Sequence, residues 1–303
     1  MRTWREDEIL GKKAFVILLD TRGCYWRSCY MCGYNNENSA SNEAVISQIR
    51  RALEVYKGED VVKIFTSGSF LDTREISRED RREILEALPD VEITIETRPE
   101  FVTESALDDI SGKNIEVAIG LESASDAVRK ECVNKGFSAS DFLKASERIR
   151  DRKLRVKAYL LLKPPFLTEA EALEDLKRSI DFCAESADVI SINPVNVQGG
   201  TLVERMWLEG RYRPPWLWSL TDALLYSQRY LEKLVVTSMP TGGGSRRGAH
   251  NCFSCDRDVL KVIDRCRISQ DYEPLMDLSC DCIGKWKDSL DLEKHISGYP
   301  LYD

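Results

Sequence analysis

The sequence predicts an α/β fold in which a partial (β/α) barrel is followed by a small C-terminal extension. Three observations lead to this prediction. Six apolar segments alternate with amphipathic segments between residues 14 and 197, a pattern typical of parallel strands connected by helices. Polar residues follow each apolar segment, where barrel enzymes carry their sites. Five of the ten cysteines lie after residue 250, and a metal bound there can hold together a segment with little core of its own.

The predicted strands are short apolar runs, which cover residues 14–19, 61–69, 91–97, 115–123, 155–163 and 188–197. The predicted helices have apolar residues at helical spacing and cover residues 41–57, about 74–88, a short segment after Val102, 125–131, 140–152 and 168–185. The first of these helices is predicted to begin at an N-cap residue, Ser41. Six such strand–helix units in about 200 residues suit a partial or complete barrel.

The bulk composition is that of a folded globular protein. Its 303 residues are 43% hydrophobic, so the chain can bury a full core in one large domain with a small appendage. We place a barrel domain at residues 1–238 and a Cys-rich domain at residues 239–303. No run of about 18 apolar residues occurs, and the N-terminus is too charged for a signal peptide. We expect a cytoplasmic protein with no membrane partner, in which the cysteines ligate metals and do not form disulfides.

The charge balance restricts the classes of partner. Lys and Arg number 43 against 51 Asp and Glu, for a net charge of −8, which is the wrong sign for a general nucleic-acid binder. Residues 244–267 contain six basic and three acidic residues. Any contact with nucleic acid is therefore expected at a local patch of this kind.

Polar residues follow every predicted strand. The carboxyl ends of barrel strands meet at one mouth, so these residues are expected to line a single site. Taken singly, each has a plainer interpretation: Glu122 can cap the next helix, Lys163 can be solvated, and Gly68 can be a turn residue. The full set is Cys24, Cys29, Cys32, Ser67, Gly68, Ser69, Thr97, Arg98, Glu122, Lys163, Asn196 and Gln198.

Three cysteines lie in the loop after the first predicted strand, "DTRGCYWRSCYMCGYNNEN" (residues 20–38). A disulfide would use two of the thiols and leave one, and a structural zinc site usually needs four ligands. A cubane iron–sulfur cluster fits better, because three thiolates hold three irons and the fourth iron stays open to a ligand. The loop therefore predicts an iron–sulfur cluster at Cys24, Cys29 and Cys32.

These motifs resemble the radical S-adenosylmethionine (SAM) superfamily. The usual CxxxCxxC motif has one residue fewer between its first two cysteines than this chain has between Cys24 and Cys29. "FTSGSF" is similar to the Gly-rich strand end that receives the SAM amino group, "GLES" to the fourth strand end, and "VKAYLLLKPP" to the fifth strand. The resemblance implies a TIM-like (β/α)6 radical SAM barrel that binds a [4Fe–4S] cluster. The SAM contacts it implies are Ser67, Gly68, Ser69, Glu122, Lys157 and Asn196.

The resemblance also implies the chemistry. The open iron chelates the amino and carboxylate groups of SAM, and one electron from the cluster, which a donor protein reduces, cleaves the S–C5′ bond. The resulting 5′-deoxyadenosyl radical abstracts hydrogen from the substrate, so the cofactors carry the difficult step. No catalytic residue beyond the cluster and SAM is expected, and the protein supplies orientation and a site closed to water.

The C-terminal cysteines form a second motif. Cys252 and Cys255 make a CxxC pair, and Cys280 and Cys282 make a CxC pair, which together indicate a four-thiolate structural site. Zinc is the favoured metal, with a second iron–sulfur cluster or merely buried thiols as alternatives. By contrast, Cys132 and Cys183 stand alone on predicted helices and are interpreted as small core residues.

Arginines and aromatic residues alternate in "RMWLEGRYRPPWLWSL" (residues 205–220). Such side chains together suit unstacked nucleobases. The alternative is that the tryptophans cover the barrel.

The motif set "TRGCYW", "FTSGSF", "ETRPEF", "AIGLES", "INPVNVQGGT" and "RRGAHNC" is similar to the archaeal radical SAM family that makes archaeosine in tRNA. The barrel half also resembles the catalytic subunit of Elongator. The resemblance implies that a partner synthase subunit attaches lysine to the nitrile of preQ0 in the D-arm of tRNA. This protein would then cleave the C–N bond of the adduct. Two alternatives stay open: another radical SAM activity on tRNA, and a non-catalytic iron–sulfur scaffold that presents tRNA.

Overall fold

The computed structural model describes residues 1–34 and 43–295. The strands in this part of the chain are β1 (Arg2–Asp7), β2 (Lys13–Leu18), β3 (Val61–Phe65), β4 (Glu92–Thr97), β5 (Ile115–Glu122), β6 (Arg155–Leu162), β7 (Val189–Pro194) and β8 (Val235–Thr237). They are hydrogen-bonded in the order in which they occur in the chain. All six predicted strands are present as β2 to β7, whereas β1 and β8 were not predicted.

The α-helices of the described residues alternate with the strands as far as β7. They are α1 (Val45–Leu53), α2 (Arg78–Ala87), α3 (Glu104–Ile110), α4 (Ala139–Asp151), α5 (Glu169–Ser186), α6 (Leu202–Leu208), α7 (Leu217–Ser227), α8 (Asp256–Ser269) and α9 (Cys282–Glu293). The helix predicted at residues 125–131 is a π-helix, Val128–Val133. Ala44 is the N-cap of α1 and makes no side-chain cap hydrogen bond, so the predicted start at Ser41, a residue outside the described ones, is wrong.

Strand pairing is parallel except at the start of the sheet. β1 runs antiparallel to β2, with Arg2 opposite Leu18 and Asp7 opposite Lys13. The pairs β2–β3, β3–β4, β4–β5 and β7–β8 are parallel. Parallel neighbours joined by helices are the expected result of strand–helix alternation. Charged residues dominate β1, which is typical of an edge strand protected against further pairing.

The chain is divided into two compact units. The first unit contains the described parts of Met1–Arg27, Tyr34–Gly120 and Ser140–Lys157. The second unit contains the described parts of Ser28–Gly33, Leu121–Ala139 and Ala158–Asp303. Both units have an apolar core of fully buried side chains, for example Phe15, Ile17, Ile64, Ile95 and Val117 in the first and Leu160, Leu162, Leu176, Ile180 and Ile192 in the second.

Side-chain caps fix where several helices begin. The Thr168 hydroxyl accepts a hydrogen bond from the backbone N–H of Glu171, and the Glu171 carboxylate accepts one from the backbone N–H of Thr168. This reciprocal capping box satisfies two N–H groups that lack intrahelical partners, so α5 begins where the sequence predicts. Ser77 and Thr201 each cap their helix, α2 and α6, through a single hydrogen bond.

An ionic cluster joins α2 to α3 in the first unit. The Asp109 side chain is fully buried and lies 2.8 Å from Arg78, 3.1 Å from Arg81 and 2.8 Å from Arg82. Arg81 is itself buried and also donates to the carbonyl oxygen of Leu71 at 2.9 Å. Hydrogen bonds from Arg78 and Arg82 hold the pKa of the Asp109 carboxyl at about 2, although burial acts in the opposite direction.

Across residues 1–34 and 43–295, no helix combines the length and the apolar composition that crossing a lipid bilayer requires.

Candidate active site and metal centre

The loop that carries the three N-terminal cysteines is shared between the two units. Cys24 belongs to the first unit, whereas Cys29 and Cys32 belong to the second. All three are partly exposed.

Cys24 is fixed to the segment that follows β3. Its backbone N–H donates to the carbonyl oxygen of Ser67 at 3.2 Å. Three residues earlier in the same loop, the Thr21 hydroxyl contacts the carbonyl oxygen of Thr66 at 2.9 Å and the Glu75 carboxylate at 2.5 Å. The loop that carries Cys24 therefore runs from the end of β2 past the carboxyl end of β3.

The predicted SAM-binding segment, Ser67 to Ser69, leaves no room for a side chain at its centre. A Cβ atom at Gly68 would lie 2.1 Å from Oε2 of Glu75 and 2.7 Å from the backbone nitrogen of Cys24. Ser67 adopts a left-handed conformation with φ of 59°, which is uncommon for a residue with a side chain. Only glycine allows this approach of the backbone to the cysteine loop.

Glu75 is a residue of this site that sequence reasoning missed. Its carboxylate accepts hydrogen bonds from the Thr21 hydroxyl and from the backbone N–H of Ser69 at 2.6 Å. Burial raises the pKa of the Glu75 carboxyl, and these hydrogen bonds oppose the shift. One side chain therefore positions both the loop before Cys24 and the predicted SAM-binding segment, although nothing in the local sequence marks it.

Four hydrogen bonds hold the segment around Cys29 and Cys32 in the second unit. The Tyr30 N–H donates to the carbonyl oxygen of Val133 at 3.0 Å, and the Val203 N–H donates to the carbonyl oxygen of Tyr30 at 3.3 Å. The other two bonds involve side chains: the Asn134 amide donates to the carbonyl oxygen of Ser28 at 2.9 Å, and the Gln198 amide oxygen accepts from the Gly33 N–H at 2.5 Å. Gln198 and the end of the π-helix thus act as a frame for these two cysteines.

Two further strand ends carry strained residues. Glu122, the last residue of β5, has φ of 70°, and Lys163, which follows β6, has φ of 62°. Glu122 forms a 2.5 Å ion pair with Lys135. Lys163 is not solvated: it is buried and lies 2.8 Å from the carboxylate of Glu169. Left-handed backbone in residues other than glycine is concentrated at functional sites, so both positions are candidates for one.

Of the remaining predicted SAM contacts, Lys157 lies near the start of its strand and Asn196 lies after the end of its strand. Lys157 is the third residue of β6, which begins at Arg155, and it lies 3.4 Å from the Glu116 carboxylate near the start of β5. Burial alone would raise the pKa of Glu116, but Lys157 and Arg155 lower it below its ordinary value. Asn196 lies after β7, 3.5 Å from the carbonyl oxygen of Thr241. Lys157 is therefore distant along its strand from the carboxyl end, and its SAM contact stays a prediction.

Comparison with known proteins identifies the family. The Radical SAM superfamily profile matches residues 18–179, a segment that contains all three loop cysteines and extends from the end of β2 into α5. The chain belongs to the radical SAM superfamily. The predicted fold class, a partial radical SAM barrel with a cysteine cluster near its C-terminus, is confirmed, and the chain is a radical SAM enzyme by family.

Two curated relatives of this radical SAM chain are named archaeosine synthase subunit beta. The Methanosarcina acetivorans protein is 40% identical over 96% of this chain and 89% of its own length. The Thermococcus kodakarensis protein is also 40% identical, over 93% of this chain and 94% of its own length. The chain belongs to this family within the superfamily.

Among solved structures, the Elp3 protein of Methanocaldococcus infernus has a TM-score of 0.54 and 18% identity, covering 74% of this chain and 58% of that one. The queuine lyase of Clostridium spiroforme has a TM-score of 0.51 and 22% identity, covering 68% of this chain and 89% of that one. At these identities the comparison supports the fold alone.

The residues present fit the cofactors that the radical SAM family implies, a [4Fe–4S] cluster and SAM. Three thiols with no fourth cysteine nearby in sequence suit a cluster with one open iron. Gly68 brings the segment after β3 directly against the backbone of Cys24, which places the predicted SAM-binding segment beside the first cluster ligand.

The four C-terminal cysteines come together in the second unit, as the sequence predicts. Their sulfur atoms all lie within 4.8 Å of one another, and the distances are 3.7 Å from Cys252 to Cys255, 3.7 Å from Cys252 to Cys280 and 3.8 Å from Cys255 to Cys282. Thiolates about 2.3 Å from a tetrahedral zinc ion are roughly 3.8 Å apart. The spacing therefore fits a four-thiolate zinc site.

Two of the four cysteine sulfur atoms have hydrogen-bond partners among neighbouring side chains. The Trp218 indole N–H donates to the Cys282 sulfur at 3.1 Å, and the Asn251 amide lies 3.6 Å from the Cys255 sulfur. The backbone N–H of Cys255 lowers the pKa of the Cys252 thiol to about 6, whereas burial raises the pKa of the Cys255 and Cys282 thiols. A bound metal would deprotonate its coordinating thiols outright. Partners of this kind orient the ligands of metal sites.

Three cysteines outside the two groups are core residues. Cys132 and Cys183 are buried, as predicted, and burial raises the pKa of the Cys132 thiol to about 12. Cys266 is also buried, on α8, and does not belong to the four-sulfur group.

The C-terminal extension contacts the residues around Lys163. The Trp286 indole N–H on α9 donates to the Ser219 hydroxyl at 2.9 Å, and Ser219 donates to the Glu169 carboxylate at 2.6 Å. Glu169 is the partner of Lys163 at the end of β6. The extension that carries Cys280 and Cys282 is thereby connected to a candidate site residue.

The aromatic segment at residues 205–220 is partly a core element. Tyr212 and Trp218 are buried, in agreement with the interpretation that this segment covers the barrel. Trp216 instead has the Arg213 guanidinium 4.1 Å from its ring centroid, and Trp207 has that of Arg247 at 5.0 Å. The two partly exposed tryptophans are therefore already paired with arginines.

Proposed function

We propose that this protein is the radical SAM component of archaeosine formation and cleaves the C–N bond of a lysine adduct of preQ0 in the D-arm of tRNA. The single observation that carries the proposal is the 40% identity to two proteins named archaeosine synthase subunit beta. The match to the Methanosarcina acetivorans protein covers 96% of this chain, so the matched part includes both cysteine groups. The similarity therefore extends well beyond the general radical SAM region.

Within this proposal, Cys24, Cys29 and Cys32 ligate the cluster, and the backbone of Ser67 to Ser69 receives the SAM amino group. Glu122 and Asn196 complete the proposed SAM contacts. The predicted contact of Lys157 is not carried into the proposal, because Lys157 lies near the start of β6 and pairs with Glu116. When bound, the cluster and SAM would supply the radical chemistry that removes hydrogen from the lysine carbon bonded to the amidine nitrogen. Return of one electron from that carbon to the cluster and addition of water would then let the C–N bond break, with the lysine side chain leaving as an aldehyde and the nitrogen staying on the base.

The protein's own contribution is positional. Glu75 holds the loop before Cys24 against the SAM-binding segment, and Gln198 holds the residue after Cys32. No general base is assigned, because hydrogen abstraction requires none. The role of the chain is therefore to hold the cofactor-binding segments in a fixed geometry, and proton transfer by titratable groups matters less.

Four thiolates at tetrahedral spacing support zinc as the metal of the C-terminal site, and we propose that this zinc holds a domain at residues 239–303 to the barrel domain at 1–238. The word "subunit" in the names of both relatives supports a complex with the subunit that attaches lysine. An electron-donor protein completes the proposed partners, with tRNA as substrate.

The experiment that tests the radical role is anaerobic reconstitution with iron and sulfide, followed by reduction in the presence of SAM and measurement of 5′-deoxyadenosine. The wild-type chain is expected to form the product, and Cys29→Ala to form none. Cys132→Ala removes a buried thiol outside the loop and is expected to keep the activity. A cluster without any 5′-deoxyadenosine, even with tRNA and the partner subunit present, would instead support a scaffold that presents tRNA.

The substrate is tested with tRNA that carries a lysine adduct deuterated at the carbon bonded to the amidine nitrogen. Deuterium is expected in 5′-deoxyadenosine, and archaeosine is expected in the tRNA. Unlabelled 5′-deoxyadenosine would exclude abstraction at that carbon. Iron well above the content of one [4Fe–4S] cluster per reconstituted wild-type chain would point to a second cluster and to a different radical SAM activity on tRNA.

A further inference from the structure

An exposed phenylalanine lies between the first two cysteines of the metal centre. Phe253 is 51% exposed and has a left-handed backbone with φ of 68°. Its backbone N–H donates to the carboxylate of Asp256 at 3.1 Å, and the same carboxylate accepts from the backbone N–H of Asn251 at 3.1 Å. Asp256 is buried, so the loop cannot relax easily. The strained backbone is thus held in place and presents the ring at the surface.

One face of this ring is covered by a histidine. The rings of Phe253 and His250 are stacked, with centroids 4.8 Å apart and an angle of 10° between their planes. His250 is buried, its Nδ1 lies 2.8 Å from the carbonyl oxygen of Gly248, and its backbone N–H donates to the carbonyl oxygen of Pro215 at 3.1 Å. His250 therefore covers one face of the ring on a fixed support, while half of the Phe253 residue stays accessible.

The charged residues on either side of Phe253 fall into two groups. Arg247 is paired with Glu204, and Lys261 is paired with Asp258. Arg246 and Arg257 are exposed, and within residues 1–34 and 43–295 neither has an ion pair or a hydrogen bond. The two arginines that flank the metal-binding loop therefore carry positive charge that the described residues do not neutralise.

We infer that Phe253 stacks on an unpaired nucleobase of tRNA and that Arg246 and Arg257 contact the phosphates on either side of it. The inference rests on the proposed function, which supplies tRNA as the substrate. A half-exposed aromatic ring with unpaired arginines close to it in the sequence is a combination suited to unstacked bases. A protein-docking site would present a contiguous apolar surface, whereas the next residue, Ser254, is polar and exposed.

The test measures the Kd of an unmodified tRNA transcript for the metal-loaded full chain, alone and together with the partner subunit. Phe253→Ala, Phe253→Leu and Phe253→Gly are expected to weaken binding about tenfold, and Phe253→Trp to stay within about twofold of wild type. Phe253→Gly is the matched control for the backbone, because glycine relieves the left-handed strain while it also removes the ring. Phe253→Leu separates stacking from apolar contact.

Substitution of the two arginines is expected to change the salt dependence of tRNA binding. Arg246→Gln and Arg257→Gln are each expected to reduce the slope of log K against log salt by about 0.7 to 0.9, whereas Phe253→Ala is expected to leave the slope unchanged. Metal content is measured for every variant. A variant that loses the metal is excluded, and the Kd values and salt slopes of the variants that retain it decide the test.

The inference is overturned if the Ala, Leu and Gly variants all bind tRNA within about twofold of wild type. It is also overturned if Phe253→Leu binds as well as wild type, or if the loss appears only in affinity for the partner subunit, which would make Phe253 a protein contact. Failure to detect tRNA binding with or without the partner overturns it too. Deuterium transfer to 5′-deoxyadenosine tests the proposed function separately, so failure of one can be told from failure of the other.

Discussion

At the scale of single residues, Gly68 is the position where the smallest change is expected to have the largest effect. The methyl group of Gly68→Ala would overlap Oε2 of Glu75 and the backbone nitrogen of Cys24, at 2.1 and 2.7 Å. Either the cysteine loop or the SAM-binding segment must then move by about 1 Å, and displacements of that size cost on the order of a hundredfold in rate. We expect 5′-deoxyadenosine formation to fall by about that factor.

The matched control for this prediction is Gly284→Ala. A Cβ atom at Gly284 meets no atom within 4 Å, and alanine stabilises helices relative to glycine by about 1 kcal/mol. This variant is expected to retain the wild-type rate. A Gly68→Ala enzyme with near-normal activity would show that the segment can open without harm to the site.

Gln198 is expected to protect the cluster from loss. Its amide oxygen accepts the hydrogen bond that the Gly33 N–H donates, at 2.5 Å, and Gly33 is buried directly after Cys32. Gln198→Ala leaves this buried donor without its acceptor, at a cost of about 1–3 kcal/mol. We expect iron to be released to a chelator at least about fivefold faster, measured by the decay of cluster absorbance. Gln198→Glu keeps an acceptor oxygen and is expected to restore slow release.

The residues of the site were predictable to different degrees. The strand-end positions could be located because apolar periodicity shows where each strand ends, and the two cysteine groups could be located from spacing. The left-handed backbone of Ser67, Glu122 and Lys163 could not, because no sequence pattern reports φ. Glu75 was missed for a related reason: its role depends on a hydrogen bond to Thr21, 54 residues earlier in the chain, and such long-range contacts leave no local signal.

At the scale of elements, the tie between α2 and α3 depends on a single carboxylate. Asp109→Asn would leave Arg81, which is buried, without its negative partner. Breaking a buried ion pair from one side costs about 3–5 kcal/mol. We expect a loss of at least about 3 kcal/mol in the free energy of unfolding by denaturant titration. The neighbouring Asp108→Asn is the control, because Asp108 is exposed and its partner Arg152 also contacts Glu104.

The same carboxylate predicts a pH dependence. The pKa of Asp109 is about 2 in the folded protein and about 3.9 in an unfolded chain. A lowered pKa contributes stability that is fully present above about pH 4 and is lost as the pH falls towards 2. The stability difference between wild type and Asp109→Asn is therefore expected to narrow over that interval. A constant difference from about pH 6 to about pH 2 would contradict the assignment of the stabilisation to this charge.

Each of the two strands that sequence reasoning missed, β1 and β8, has its own physical reason. β1 is a charged segment, Arg2–Asp7, because an edge strand faces solvent and has no need of apolar side chains. β8 is three residues long, Val235–Thr237, which is shorter than any window in which alternation can be recognised. β2 to β7 were predictable because the burial of both faces of a parallel strand produces a continuous apolar run.

At the scale of the whole molecule, the metal centre is expected to decide whether the C-terminal extension stays folded. Cys280→Ser removes one of four thiolates, and structural zinc supplies the folding free energy of small metal-bound segments. We expect loss of the bound metal, rapid proteolysis between α8 and α9, and a melting temperature lower by at least about 5 °C.

Cys266→Ala is the control for this variant. Cys266 is buried on α8 but lies outside the four-sulfur group, so full metal content is expected. Protection from protease in Cys280→Ser without bound metal would show that the contact from Trp286 to Ser219 holds the extension by itself.

The contact between Gly33 and Gln198 joins residues 165 positions apart, and this separation sets an order of events in the cell. At about 5–20 residues per second, a ribosome needs roughly ten to thirty seconds after making Cys32 before it makes the side chain that holds the next residue. During that time the nascent cysteine loop lacks the hydrogen bond between Gly33 and Gln198. Delivery of iron and sulfide is therefore useful only after synthesis of the second unit, and the enzyme is expected to acquire its cluster post-translationally, from a carrier that recognises the completed fold.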